Sequence, residues 1–198
     1  MRDAVLLSIV TRGAIMPDAQ WIPAALRDHG AMNDGFRGAC YERLFRMLHQ
    51  DVGVRYGDFL RIERDAQGKP VMPPWRRDIH FNVSHADNCA LVAISRAEVG
   101  VDIERVDACY RETLQEFLPA SSCLRTGVTP FVAWVRYEAI AKLLGLGLRL
   151  DVDAIQASDS QMVAHGQPVW VCELSVPTGH VAAIASHQPV ELIYWNET

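Results

Sequence analysis

The sequence has no long apolar run and no excess of basic residues. A membrane-spanning helix needs about eighteen or more consecutive apolar residues, and no stretch of the chain reaches that length. The formal net charge is −5 at pH 7, whereas general nucleic-acid binders carry a basic balance or a dense basic stripe. An acidic residue and only a short apolar run follow the start, unlike a secretory signal. We therefore expect a cytoplasmic protein that binds neither membrane nor nucleic acid.

Cysteine is sparse, and its spacing fits neither a disulfide framework nor a zinc site. The five cysteines are an odd number, with no C-x-x-C and no histidine at zinc-ligand spacing. Reduced, mostly buried thiols are therefore expected. The phosphate loop G-x-x-x-x-G-K-S/T and a strand-linked G-x-G-x-x-G are also missing, so ATPase and dinucleotide-binding functions lack support. The cysteines are Cys40, Cys89, Cys109, Cys123 and Cys172.

The 198 residues, 49% of them hydrophobic, suffice for one compact domain or two small ones that share a core. Helical spacing of apolar residues predicts an amphipathic helix from residue 33 or 34 to residue 48. A second helix is predicted between Thr129-Pro130, a capping pair, and Gly145, a stop. The repeated order of helix and strands indicates two similar halves that meet near residues 96–98. Branched apolar runs predict strands at 5–10, 79–83, 89–95, 99–106, 169–176, 181–186 and 190–195.

Two acidic residues interrupt an otherwise apolar strand. Asp102 and Glu104 are two positions apart, so both side chains leave the same face of the predicted strand. Neighbouring anions repel, and a hard cation such as magnesium, bound by carboxylates, phosphate oxygens and water, would relieve that repulsion. The alternative is a solvated strand face paired with arginines such as Arg105, which the two acids taken alone favour.

Glu138 and Lys142 lie four residues apart on the second predicted helix, with Trp134 one turn earlier. Such a pair is commonly a surface ion pair worth about 0.2 to 0.5 kcal/mol. Together with Asp102 and Glu104, however, it adds a third metal ligand and a cation suited to a phosphate. The combination favours a site for a divalent metal and a pyrophosphate.

Two further segments carry groups suited to an anion. Ser84-His85 closes a predicted strand in a polar turn, where the hydroxyl, the imidazole and backbone amides can face an anion. A nucleophilic pair is disfavoured, because adjacent residues rarely adopt triad geometry and no G-x-S-x-G elbow surrounds them. Local capping of the turn is the alternative. Gly68-Lys69-Pro70 would frame a nucleotide or form a surface loop.

These segments follow one order along the chain, and together they resemble the signature of the surfactin-type 4'-phosphopantetheinyl transferases. The family pattern runs G-K-P, F-N-x-S-H, G-x-D-I-E and W-x-x-K-E-x-x-x-K. Several linked motifs are far more specific than any one of them. The counterparts here are residues 68–70, 81–85, 100–104 and 134–142, and the resemblance covers about residues 36–148.

The resemblance implies an α+β pseudo-dimer of two similar halves, each a helix packed on a small antiparallel sheet. The halves would be residues 1–97 and 98–198, with coenzyme A in the cleft between them. Asp102, Glu104 and Glu138 would hold Mg²⁺ against the pyrophosphate. The residues implied at coenzyme A are Lys142, Ser84 and His85 at the phosphates, Lys69 and Pro70 at the adenine, and Arg37 at the 3'-phosphate.

The implied reaction is attack by a serine hydroxyl of an acyl or peptidyl carrier protein on the phosphorus that joins pantetheine to the nucleotide, releasing 3',5'-ADP. The implied catalytic residues are Asp102, Glu138 and Lys142. Mg²⁺ and Lys142 would neutralise charge on the phosphate oxygens, and Glu138 is a candidate proton acceptor. The acidic helix of the carrier would meet arginines near residues 34–48. The built-in pseudo-dimer favours a monomer.

Two positions depart from the family pattern. Tyr137 stands where the family has a lysine, which removes one charge from the phosphate site. Ser121-Ser122 stand where many relatives carry a glutamate suggested to assist proton removal. These changes leave open a relative that binds coenzyme A or a carrier protein without turnover. A metal-dependent phosphohydrolase that uses the same acids is the third hypothesis.

Overall fold

The computed structural model describes residues 4–11, 22–26, 35–118, 122–157 and 162–195. It mixes helices with antiparallel sheets, which confirms the predicted α+β class. Within these ranges, every helix falls short of the length and hydrophobicity that crossing a bilayer demands. The expected caps of the first helix, Asn33 and Asp34, lie outside the described residues, as does Ser121.

The elements are defined as follows. The strands are β1 (Ala4–Thr11), β2 (Glu63–Arg64), β3 (Pro70–Val71), β4 (His80–Ala86), β5 (Cys89–Ser95), β6 (Val99–Arg105), β7 (Ile155–Ala157), β8 (Met162–Ala164), β9 (Gln167–Glu173), β10 (His180–Ser186) and β11 (Glu191–Tyr194). The α-helices are α1 (Gly35–Val52), α2 (Tyr56–Phe59), α3 (Arg111–Phe117) and α4 (Pro130–Leu143). Short 3-10 helices cover Ala24–Leu26, Pro74–Arg76, Ala108–Tyr110, Cys123–Arg125, Gly147–Arg149 and Val152–Ala154.

The first sheet has four strands in the order β11-β1-β5-β4 and carries helix α1. The apolar stripe predicted for α1 is buried, including Phe36, Cys40, Leu44 and Leu48. It packs in one core cluster with residues of β5 such as Val92. The helix continues to Val52, four residues beyond the predicted end, and Val52 packs against the same core cluster. The long amphipathic helix of the sequence is therefore confirmed.

The second sheet has five antiparallel strands in the order β6-β10-β9-β8-β7 and carries helix α4. This helix begins as predicted, because Thr129 Oγ1 accepts a hydrogen bond from the Val132 amide at 3.4 Å and Pro130 occupies the first turn. Past its end, Gly145 takes a φ of +69°, the left-handed conformation typical of a helix stop. Ala133 and Ile140 lie in the core of this half.

The two sheets share a third core cluster, formed by β1 and β5 of the first sheet and by β6 and β10 of the second. The turn between β5 and β6 falls at residues 96–98, where the sequence predicts the halves to meet. Strand β11 returns to the first sheet and pairs in parallel with β1, with Glu191 opposite Ala4. The division of the chain between residues 97 and 98 stays a prediction.

Gly100 lets β6 and α4 approach each other closely. A Cβ at this position would lie 2.1 Å from the carbonyl oxygen of Ala139 and 2.4 Å from the amide nitrogen of Leu143. Both atoms belong to the backbone of α4, so neither can move aside as a flexible side chain can. The glycine of the G-x-D-I-E motif is therefore required by the packing that sets α4 against Asp102.

Ser84 and His85 lie in strand β4, so their predicted placement in a turn was wrong. Ser84 pairs with Leu91 of β5, and the strand continues to Ala86. The turn falls at the next two residues, where Asp87 takes a φ of +55°, a conformation that Asp adopts more readily than most residues. The strand tolerates a buried serine because its hydroxyl finds partners in the other half.

All five cysteines are free, as predicted. Cys40 and Cys89 are buried, Cys123 and Cys172 are half-buried, and Cys109 is exposed. The expectation of mostly buried thiols therefore holds for only two of them. Cys109 is exposed because it lies in a short surface 3-10 helix that precedes α3.

Candidate functional site at the junction of the two sheets

Asp102 lies at the centre of a buried polar group formed by three elements. It sits on β6 with 3% of its surface exposed. Ser84 of β4 donates its hydroxyl hydrogen to Asp102 Oδ1 at 2.8 Å. Lys142 of α4 donates from Nζ to the same oxygen at 2.6 Å and to Ser84 Oγ at 2.8 Å. Three of the predicted site residues are therefore in direct contact.

The second oxygen of Asp102 has no such partner. Oδ2 is buried and makes no hydrogen bond within the described residues. A buried carboxylate oxygen without a partner costs free energy, so native structures usually satisfy it with a donor, water or an ion. The unpaired oxygen therefore marks a position where a cation or a bound water would be stabilised.

Glu104 and Glu138 belong to the same electrostatic environment as Asp102. The pKa of Glu104 is raised by burial and then by the negative charge of Asp102, against a hydrogen bond from Trp134 and the charge of Lys142. The pKa of Glu138 is raised by burial and by the charges of Asp102 and Glu104, while Lys142 opposes this. The three carboxylates therefore affect one another electrostatically, and the charge of Lys142 acts on both glutamates.

Side chains of β4 also link the edges of the two sheets. Asn82 Oδ1 accepts a hydrogen bond from the Val101 amide at 2.9 Å, and Ser84 Oγ accepts a longer one from the Ile103 amide at 3.4 Å. Both acceptors lie on one face of β4, and both amides flank Asp102. Asn82 was not singled out from the sequence, although its position two residues before Ser84 is the signal that could have identified it.

Lys69 connects the G-K-P loop to the end of α4. Its Nζ donates to the carbonyl oxygen of Leu143 at 3.1 Å, and burial lowers its pKa, partly offset by the charges of Glu98 and Asp65. Asp65 also accepts the Lys69 backbone amide at 2.9 Å, which holds the loop in shape. Lys69 and Lys142 are the only lysines in the sequence, and both contact the α4 region.

Two cavities flank this group. One, of about 220 Å³, is lined by Lys69 and Pro70 of the loop together with His80, Phe81 and Glu98. The other, of about 370 Å³, is more apolar and is lined by residues that include Glu104, Tyr110, Leu114, Phe131 and Trp134. Glu104 therefore lies beside the more apolar cavity, and the G-K-P loop lies beside the more polar one.

His85 and Arg37 are the predicted phosphate contacts that lie outside the hydrogen-bonded group around Asp102. His85 follows Ser84 on β4, so its exposed side chain leaves the opposite face of the strand. Arg37 lies half-buried near the start of α1. Their proposed roles at the phosphates stay predictions.

Two curated relatives align with most of the chain, whereas no family model matches it. The 4'-phosphopantetheinyl transferase gsp of Aneurinibacillus migulanus is 26% identical over 169 residues, which cover 78% of this chain and 70% of the relative. The 4'-phosphopantetheinyl transferase psf-1 of Bacillus pumilus is 25% identical over 174 residues, covering 79% and 73%. The chain is similar in sequence to curated 4'-phosphopantetheinyl transferases. The resemblance seen in the motifs is confirmed, and it supports a transferase.

Against this family, Tyr137 is the departure that the structure explains best. Its side chain lies fully inside the core of the second half. The hydroxyl donates to the carbonyl oxygen of Leu150 at 2.7 Å, and burial raises the pKa of Tyr137 to about 12. The residue therefore takes a structural place in the core. At the other departure, Ser122 Oγ accepts the Leu124 amide at 3.3 Å and caps a short 3-10 helix.

The carboxylates have the chemistry that the family's magnesium would need. Magnesium prefers oxygen ligands and is usually held by one or two carboxylates with phosphate oxygens and water. Asp102 offers a buried oxygen without a partner among the described residues, and the pKa values of Glu104 and Glu138 are raised first by burial and then by the neighbouring negative charges. Within the described ranges, no group of three or more aspartate, glutamate, histidine or cysteine side chains lies close enough together to hold a metal ion. Asp102, Glu104 and Glu138 nevertheless supply the oxygen ligands that magnesium prefers, so an ion at these residues would need further ligands from phosphate and water.

Proposed function

We propose that this chain transfers the 4'-phosphopantetheine arm of coenzyme A to a serine of an apo acyl or peptidyl carrier protein. The other product is 3',5'-ADP. The observation that carries the proposal is the contact of Asp102 with Ser84 and Lys142, beside two glutamates with raised pKa values. The names of the two relatives support the same reaction class. A monomer in the cytoplasm is part of the proposal.

Asp102, Glu104 and Glu138 would hold Mg²⁺ in this enzyme. When bound, the ion would neutralise charge on the pyrophosphate oxygens, which is the main help that phosphoryl transfer needs. The carboxylates come from β6 and α4, whose spacing is fixed by the close approach at Gly100. Rigid placement of this kind is what electrostatic stabilisation of a transition state requires.

Lys142 and Ser84 would bind the phosphates directly. The ammonium group of Lys142 already points to Asp102 Oδ1 and Ser84 Oγ, and it retains donor capacity, because an ammonium group has three N–H bonds. A phosphate oxygen beside Oδ1 would accept one of them. His85 and Arg37 are proposed as additional phosphate contacts, and Lys69 and Pro70 as the wall beside the adenine.

The proton of the attacking serine needs an acceptor near the phosphorus. Glu138 is our candidate, because its raised pKa makes its carboxylate a stronger base than an exposed glutamate. The serine oxygen forms a bond to phosphorus, the bond from that phosphorus to the oxygen of the leaving 3',5'-ADP breaks, and Glu138 takes the serine proton. Lys142 would stabilise the charge that develops on the leaving phosphate.

The test is incubation of the pure protein with coenzyme A, Mg²⁺ and a panel of apo carrier proteins, followed by mass spectrometry of each carrier. A gain of one phosphopantetheine on at least one carrier, with stoichiometric 3',5'-ADP, is expected. No gain on any carrier would contradict the proposal. Cleavage of coenzyme A in a control without carrier would indicate a phosphohydrolase instead.

A further inference from the structure

The last backbone carbonyl of helix α4 accepts a hydrogen bond from a side chain of the G-K-P loop. The last four carbonyl groups of an α-helix have no partner within the helix. Amides of the turn that follows α4 take three of these carbonyls. The fourth, that of Leu143, accepts from Lys69 Nζ at 3.1 Å. The three amide bonds are Leu144 to Ile140 at 3.0 Å, Leu146 to Ala141 at 2.9 Å and Gly145 to Lys142 at 3.4 Å.

The G-K-P loop is held in one shape by its own hydrogen bonds. Asp65 Oδ1 accepts from the amides of Gln67 and Lys69, both at 2.9 Å. The Asp65 amide donates to the carbonyl oxygen of Lys69 at 3.0 Å, and Arg64 donates to that of Gly68 at 2.7 Å. Gly68 takes a φ of +90°, which favours glycine. The backbone of Lys69 is therefore held at both its amide and its carbonyl group.

The loop also packs against the turn that follows α4. A Cβ added to Gly145 would lie 3.8 Å from Gln67 Cβ and 3.9 Å from Lys69 Cδ, which is ordinary contact distance. The side chain of Lys69 therefore passes along Gly145 to reach the Leu143 carbonyl. The negative end of the helix dipole lies at this terminus, so an ammonium group is stabilising there. Lys69 thus gives its charge to α4 while it also lines the polar cavity of about 220 Å³.

The same turn of α4 carries Lys142, the residue before Leu143. Lys142 Nζ donates to Ser84 Oγ at 2.8 Å and to Asp102 Oδ1 at 2.6 Å. Movement of this turn would therefore move the ammonium group that the proposed reaction needs at the phosphates. Lys142 contacts β4 and β6 from this turn, and Lys69 contacts the turn from the loop. The two lysines of the sequence thus hold one turn of one helix.

We propose that Lys69 is a positioning residue, whose ammonium group holds the last turn of α4 so that Lys142 stays at the junction of the two sheets. The inference rests on the proposed function for its effect on transfer, whereas the contact itself does not depend on that function. In the competing role, the ammonium group of Lys69 contacts the substrate. The two roles predict different kinetics, because a lost substrate contact raises KM for coenzyme A and a displaced Lys142 lowers kcat.

The decisive variant is Lys69→Met, which keeps an unbranched side chain beside the cavity and removes the ammonium group. Lys142 is then the one lysine left in the sequence, and its acylation by a succinimidyl ester is followed by peptide mass spectrometry. We expect Lys142 to be labelled about tenfold faster than in the wild type, as the loss of one hydrogen bond from a charged group would allow.

The matched control is Arg61→Met, which removes the same charge from the surface. Arg61 is exposed and lies over the ring of Trp75, 6.0 Å from its centroid. The labelling rate of Lys142 should be the same in this variant as in the wild type. An unchanged labelling rate in Lys69→Met would overturn the inference.

Steady-state kinetics with a carrier protein test the effect on transfer. In Lys69→Met, kcat should fall about tenfold, while KM for coenzyme A should change less than about twofold. Lys69→Arg should restore most of kcat and the slow labelling of Lys142, because a guanidinium group can donate to the same carbonyl. In an active enzyme, a raised KM with normal kcat in Lys69→Met would overturn the inference.

A measurement on the wild type covers the case in which Lys69→Met does not fold. Labelling lysine with nitrogen-15 gives NMR signals from only two side-chain ammonium groups. Hydrogen bonding slows the exchange of their protons with water, so both signals should persist at a temperature where the signal of free lysine has disappeared. A Lys69 signal that behaves like free lysine would overturn the inference. If both signals persist and no carrier is modified, the proposed function alone is contradicted.

Discussion

Lys142 Nζ lies 2.6 Å from Asp102 Oδ1, although the two residues are 40 positions apart in the sequence. The lysine side chain is 26% exposed and the aspartate side chain 4%. The aspartate is therefore buried, whereas the lysine remains accessible to a ligand. Removing one partner of such a pair leaves an uncompensated charge behind. The contact links α4 to β6, and the other oxygen of Asp102 has no hydrogen-bond partner among the described residues.

Asp102→Asn tests the acidic group most simply. The amide keeps the shape of the side chain but removes the charge that would bind the cation, so we expect transfer to carrier protein to fall at least about 100-fold. The matched control is Asp78→Asn, an exposed acid in a surface ion pair with Arg96, which should retain wild-type activity. Initial rates by mass spectrometry would measure both. An Asp102→Asn enzyme with full activity would exclude Asp102 as a metal ligand.

Gly100→Ala tests the close approach of β6 and α4. The new Cβ would lie 2.1 Å from the Ala139 oxygen, and the two elements must separate to make room. We expect the free energy of unfolding to fall by about 2 kcal/mol or more. Gly57→Ala is the control, since no heavy atom lies within 4 Å of its added Cβ. Urea denaturation followed by circular dichroism gives both values. Equal stability of the two variants would show that the packing is loose.

Two local patterns in the sequence predicted parts of the fold: the spacing of two residues along a strand, and the capping residues of a helix. Asp102 and Glu104 share a strand face because they are two residues apart, and α4 begins at the capping pair Thr129-Pro130. Both patterns depend only on neighbouring residues, so they can be recognised without knowing the rest of the fold. The placement of Ser84 in a turn failed for the opposite reason. Its buried hydroxyl is satisfied by Asp102, 18 positions away, and no local pattern reveals such a partner.

Contacts between residues far apart in the sequence could not be predicted from local patterns either. Asn82 accepts from Val101 of the other sheet, and β11 pairs with β1 at the far end of the chain. The burial of Tyr137 is a related case. Tyr137 stands next to Glu138 where the family has a lysine, so its expected effect was on the phosphate site, whereas the helix turns its ring into the core. The faces of α4 could be assigned only after its neighbours were known.

Asn82→Ala tests the link between the sheets. The variant leaves the buried Val101 amide without its acceptor, which costs about 1 to 3 kcal/mol of unfolding free energy. Because Val101 precedes Asp102, transfer activity should also fall. Asn88→Ala, in the exposed turn after β4, should change neither quantity. The free energy of unfolding and the initial rate of transfer would be measured on the same preparations of both variants. Wild-type stability in Asn82→Ala would show that the hydrogen bond contributes nothing.

Tyr137→Phe tests the buried phenol through alkaline unfolding. The pKa of Tyr137 is about 12 in the fold and about 10 in an unfolded chain. Between these values the unfolded chain loses the proton while the folded chain keeps it, so stability falls as pH rises. The variant should lack this part of the decline, and near neutral pH it should be about 1 kcal/mol less stable.

The control for this experiment is Tyr194→Phe, because Tyr194 is 45% exposed. Its stability curve between pH 9 and about 12 should run parallel to that of the wild type. Denaturant titrations at each pH give the curves. If Tyr137→Phe also declined in parallel with the wild type, the phenol would not be buried as described.

The proposed function requires Asp102, Glu104 and Glu138 to bind one divalent cation together. A crystal structure of the chain with coenzyme A and Mn²⁺, with anomalous scattering to locate the metal, tests it most directly. We predict one anomalous peak about 2 Å from carboxylate oxygens of these residues and in contact with the pyrophosphate. With coenzyme A fully bound, a peak elsewhere, or Glu138 turned to solvent away from the ion, would contradict the account.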